Sequence, residues 1–143
     1  MNNDTLNRSV APDFKAIENI HLIKPEYIKL SNGCNLFCFN SGDQELVRIE
    51  WIFGNVRFNP AKPLLNMAVN TMLTDGTSQL SADEIADRID FYGAFFSTEY
   101  GFDHSQVTLH SLNKHLKDVL PIVKDVLTDS TFPEKELDTY IRN

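Results

Sequence analysis

The chain has 143 residues, enough for one domain with a real core or for part of a larger one. Hydrophobic residues make up 42% and charged residues 23%, an ordinary balance for a soluble globular protein. The net charge is −7 and the pI about 4.9, and no basic stripe offsets that charge, so nucleic-acid binding is excluded on electrostatic grounds.

Met1 to Ser9 are polar and no apolar stretch follows them, so they do not read as a secretory signal. No apolar run approaches the ~20 residues a membrane span needs. The expected location is cytoplasmic, or periplasmic if a signal peptide was removed. Residues 1–25 read as an N-terminal arm, extended over Arg8 to Pro12, with Ile20, Leu22 and Ile23 as its anchors on the core.

Residues 26–54 read as strands in an antiparallel meander. Tyr27 to Leu30 run into Ser31-Asn32-Gly33, a strong hairpin signal, and Cys34 to Phe39 form the return strand. Cys34 and Cys38 lie four apart on that strand, too far for a relaxed disulfide, and are expected as reduced, partly buried thiols. After a turn at Ser41-Gly42-Asp43, Leu46 to Phe53 alternate. Val47, Ile49, Trp51 and Phe53 share one face; Arg48, Glu50 and Ile52 share the other.

Asn59 to Pro63 break the strand, and Pro63 is placed as the first residue of a helix over 64–74, with Gly76 as its left-handed cap. Ser81-Ala82-Asp83-Glu84 is a capping box opening a second helix, which carries Ile85, Ala86 and Ile89 and ends at Gly93. Strands are expected over 94–100 and 105–111, with a turn at Gly101. Asn113 is placed as the cap of a longer amphipathic helix through Leu116, Val119, Leu120, Val123, Val126 and Leu127, with Pro121 inside it expected to cost stability or kink it. Phe132-Pro133-Glu134 start a last helix still running at Asn143. Strand runs and helix runs that do not strictly alternate indicate an α+β fold, an antiparallel sheet with helices packed on one face.

Five segments carry a resemblance. They are Leu30-Ser31-Asn32-Gly33, Met72 to Thr77, Ser81 to Ile85, Gly93-Ala94 and Phe132-Pro133-Glu134. In that order and at those spacings the chain resembles the first part of a domain of the M16 zinc-peptidase family, the insulinase and pitrilysin group. The resemblance covers most of residues 26–142 and implies an M16-like partial domain over 26–143, truncated at its C-terminus. Family members carry H-x-x-E-H on the helix before the Met-Leu and Gly-Thr pieces. Its two histidines sit on one helical face and share a zinc ion, and its glutamate is the general base.

Registering this sequence on that pattern puts the histidine positions at Met67 and Thr71 and the glutamate position at Asn70. Methionine is a poor zinc ligand, Asn70 has no ionisable group, and Thr71 offers a neutral hydroxyl. The third ligand would lie beyond Asn143. Where the family commonly shows N-A-x-T on its substrate-pairing strand, this chain reads Ser97, Thr98, Glu99 and Tyr100; backbone pairing with an extended peptide survives such a change. Leu65, Met67, Ala68, Val69 and Met72 give the helix an apolar face free to pack where a metal would otherwise sit.

No second site stands out. His104 and His110 share a strand face, Asp103 points the other way, and His21 and His115 are isolated. Neither G-x-S-x-G nor a phosphate-cradling glycine loop occurs. The resemblance therefore implies a non-catalytic homologue, a partner subunit or chamber half in a homo- or hetero-dimer. Zinc is then expected only in an active partner, and extended peptides are possible ligands. A structural or assembly role without peptide binding, and a zinc endopeptidase with its site in a missing part of the chain, remain as alternatives.

Overall fold

The structure is a computed structural model that describes residues 9–11 and 14–142. The expectations for Arg8, Pro12 and Asn143 fall outside those residues. Two compact units divide the chain, Met1–Asp43 and Gln44–Asn143.

In the first unit, β1 (Glu26–Lys29) pairs antiparallel with β2 (Asn35–Cys38), with Tyr27 opposite Phe37 and Lys29 opposite Asn35. The turn forms where Asn32-Gly33 demands it. The Leu30 N–H donates to the Cys34 carbonyl at 2.9 Å, and the Gly33 N–H donates to the Leu30 carbonyl at 3.0 Å. Tyr27 Oη and Lys29 Nζ both donate to Asn35 Oδ1 at 3.0 Å, and the Tyr27 and Phe37 rings lie 5.4 Å apart. Cys34 sits exposed in the turn rather than on the strand; Cys38 is half-buried, and both thiols are free. Ile20, Leu22 and Ile23 are exposed, so the anchoring role expected of them is not seen.

The second unit holds a three-stranded antiparallel sheet in the order β3 (Leu46–Gly54), β5 (His104–Leu112), β4 (Phe95–Tyr100). This corrects the expected meander. Within this unit β3 pairs with β5 along its whole length, and Trp51 faces Val107 while Ile49 faces Leu109. The alternation of β3 is as read: Val47, Ile49 and Trp51 are half-buried and Arg48 is exposed, but Phe53 at the strand's end stays exposed. Arg48 and Glu50 form an ion pair on the outer face.

α1 (Leu65–Thr71) is shorter than the helix expected over 64–74 and tightens into a 3-10 turn, Met72–Thr74. Pro63 stays outside it, and Leu64 holds the N-cap position without a side-chain bond. α2 (Ala82–Phe91) opens with the capping box as read. Ser81 Oγ accepts from the Glu84 N–H at 3.3 Å, and Glu84 Oε2 accepts from the Ser81 N–H at 2.9 Å. Asn113 does not cap the next helix. It begins a 3-10 turn, Asn113–His115, and α3 (Leu116–Asp129) follows with His115 at its N-cap. Pro121 lies inside α3, which runs on to Asp129. α4 (Glu134–Arg142) closes the described chain.

The core lies between the sheet and the helices. Ile85 and Ile89 of α2 meet Val119, Ile122, Val123 and Val126 of α3 over Leu109, with Trp51 and Phe96 packed against them. Val107, Leu109 and Val119 are wholly buried. The pattern follows from sequence: α3 spaces its apolar residues at three and four, and β5 presents every second residue inward. No helix of the described residues is long and apolar enough to cross a membrane.

Candidate functional site

The site singled out by sequence lies on α1, which packs against β4. Met67, Asn70 and Thr71 fall within one turn of α1, as the three- and four-residue spacing requires. Their environments differ. Met67 is half-buried, Asn70 is 3% exposed, and Thr71 is exposed. Asn70 Nδ2 has no hydrogen-bond partner among the described residues. Met72, at the start of the 3-10 turn, is also buried, so the inner side of this segment is packed as an apolar surface would be.

That arrangement does not fit a zinc ion. The donor set is a thioether, a carboxamide and a hydroxyl, none of which carries the charge or basicity a catalytic zinc site uses. Asn70 in particular is suited to its burial by lacking charge, because an ionised carboxylate with no partner there would be far more costly to bury. Among the described residues no three His, Cys, Asp or Glu side chains gather as a metal cluster. His104 and His110 lie on β5 opposite Gly54 and Arg48, and both are exposed. His110 contacts the Phe95 ring, with centroids 5.9 Å apart.

Ser97, Thr98, Glu99 and Tyr100 all fall on β4. β4 pairs with β5 on one side only, so among the described residues it is an edge of the sheet. Its far end is fixed by a clamp that no sequence motif announces. Asn55 Nδ2 donates to the carbonyls of Gly101 and Phe102 at 2.9 and 3.2 Å, and Asn55 Oδ1 accepts from Ser105 Oγ at 2.6 Å. This holds the β4–β5 turn against the end of β3.

A second feature also went unread in the sequence. The loop after α1 is tied to the loop after α3. Ser78 Oγ donates to Asp129, the Thr131 N–H donates to the Gly76 carbonyl at 3.0 Å, and Ser130 Oγ lies 2.6 Å from the Leu73 and Val126 carbonyls. Two clefts flank this crossing. One, about 640 Å³, is bounded by Asp75, Ser81, Asp83, Pro133 and Glu136; the other, about 460 Å³, by Asp75, Ile85, Ile89, Asp90 and Phe95. Asp75 borders both. Burial, and then the Glu136 carboxylate, push the Asp75 carboxyl above its ordinary pKa. These contacts join residues distant in sequence, so no local motif signals them.

The chain has the α+β fold of an M16 peptidase domain. The chain superposes on the peptidase M16 inactive domain from Pseudomonas fluorescens with a TM-score of 0.77 and 19% identity, over 82% of this chain and 29% of that one. It superposes on a protease from Helicobacter pylori with a TM-score of 0.69 and 16% identity, over 81% of this chain and 29% of that one. The chain thus spans less than a third of either solved protein. No family model and no curated protein matches the sequence.

Proposed function

We propose that this chain is a non-catalytic M16-type domain that works as a partner subunit or chamber half beside a zinc-bearing M16-like subunit or domain. The observation that carries this reading is the residue set on α1: Met67, Asn70 and Thr71 stand where the M16 pattern places two histidines and a glutamate. The fold supports it, since one of the solved structures it superposes on is described as an inactive M16 domain. In this reading zinc belongs to the partner alone. The contribution of this chain is surface that holds substrate while the chemistry happens elsewhere.

The surface in question is β4. Its outer edge offers backbone N–H and C=O groups to an extended peptide, and Ser97, Thr98, Glu99 and Tyr100 would line the added strand. Two measurements test the proposal. Pull-down from the native host should recover an M16-like protein with an intact H-x-x-E-H, and titration with unstructured peptides should show binding. A stoichiometric zinc ion in the isolated chain with chelator-sensitive peptide cleavage overturns the reading. Partner recovery without peptide binding leaves an assembly role in its place.

A further inference from the structure

We propose that Asn32 is a site of spontaneous backbone-driven modification, in which the Gly33 nitrogen closes on the Asn32 side chain. The sequence holds one Asn-Gly pair, and it lies in the exposed β1–β2 turn. Gly33 sits at φ +87° and carries no side chain, and a Cβ built there would meet nothing within 4 Å, so the turn has open space around it. The Cys34 N–H donates to Asn32 Oδ1 at 3.0 Å. That donor polarises the side-chain amide and faces the oxygen on which negative charge develops when the Gly33 nitrogen adds to Cγ, as an oxyanion hole does. The opposing feature is the bond from the Gly33 N–H to the Leu30 carbonyl, which must open first. It lies in an exposed turn, where water can take over both partners.

The chemistry balances with water as the one co-reactant. The Gly33 nitrogen loses its proton and bonds to Asn32 Cγ; the Cγ–N bond to the side-chain nitrogen breaks and ammonia leaves. The cyclic imide then takes up one water at either carbonyl and opens to aspartate or to isoaspartate. Either product adds a negative charge. Isoaspartate also inserts a methylene into the main chain, inside the turn that the Leu30 N–H to Cys34 carbonyl bond closes, so that end of the hairpin loses its register.

The fold contains its own control. Asp75-Gly76 can form the same imide by loss of water, but Gly76 is buried: a Cβ there would meet Pro133 Cγ at 3.3 Å, and its carbonyl accepts from the Thr131 N–H. The test is to hold the whole chain at mildly alkaline pH, folded and in denaturant, and to map masses and isoaspartate by peptide digestion. The peptide carrying Asn32 should gain one mass unit and split into two chromatographic forms. It should do so no more slowly in the folded chain than in the denatured one. N32Q should abolish the change, because its longer side chain disfavours the ring, and Asp75 should yield isoaspartate only in denaturant. Retention of the Asn32 amide in the folded chain, under conditions where the denatured chain loses it, overturns the proposal.

Discussion

At the scale of single residues, the site is a record of side-chain chemistry. The expectation that Met67, Asn70 and Thr71 hold no zinc rests on residue types alone, because ligand strength and basicity belong to the side chain and not to its surroundings. Their burial was not legible. Asn70 turned out to be sealed, with an Nδ2 unpaired among the described residues, while Thr71 next to it is exposed. A buried donor without a partner costs about 1–3 kcal/mol. N70L, with the same branched shape and no polar atoms, should therefore raise the unfolding free energy measured by urea titration by an amount within that range, whereas N70E should lower it at neutral pH by placing a charge in the same pocket. Asp75 makes a pH-dependent case. Its folded pKa lies above the ordinary value, through burial and Glu136. A group shifted that way favours the folded state in acid, and the advantage is lost as pH rises through the folded pKa. D75N should thus stabilise the protein at neutral pH, and its gain over the parent should shrink to nothing below the ordinary pKa. Denaturation curves at several pH values would show a constant gain if the reasoning is wrong.

At the scale of elements, local signals were read well where the bonds that satisfy them are themselves local. The capping box of α2 needs only Ser81 and Glu84, three residues apart, and it is present. The Asn32-Gly33 turn is likewise self-contained. Asn113 failed as a cap because the chain tightens into a 3-10 turn there, and the backbone finds its bond from the Asn113 N–H to the Glu45 carbonyl on the neighbouring strand's approach. The same tightening after Thr71 shortened α1. A prediction follows for α2. S81A should cost about 0.5–2 kcal/mol, the usual range for loss of an N-cap. Glu84 adds a pH dependence of known sign. Its pKa is lowered by the backbone and side chain of Ser81. Stability from that contact is present above the ordinary pKa and lost as pH falls through the lowered folded value. The acid limb of the stability profile should accordingly be shallower in S81A than in the parent; equal slopes would mean that the box does not hold the carboxylate in solution.

At the scale of the whole molecule, the fold class was legible and the strand order was not. Periodicity shows which face of a strand is apolar, but not which strand will lie beside it. β3 lies against β5, whose paired residues are 50 to 66 positions away in sequence. The reason is packing. Leu109 on β5 is the side chain over which α2 and α3 close, and Trp51 packs against that core from β3, the strand paired with β5. The first hairpin has no such core, since most of its apolar residues are exposed, and a two-stranded hairpin alone is marginal in water. Amide hydrogen exchange should therefore divide the chain sharply. β5 amides should exchange only through global opening of the second unit, while β1 and β2 should exchange through local opening at much lower protection. L109A removes the central side chain and should cost about 2–5 kcal/mol by transfer and cavity terms. Protection along β3, β4 and β5 should then fall together, because all three depend on the same core. A loss confined to β5 would show that the sheet edges are held by contacts other than the Leu109 cluster, β4 among them, and the peptide-pairing edge proposed for β4 would then need a different source of rigidity.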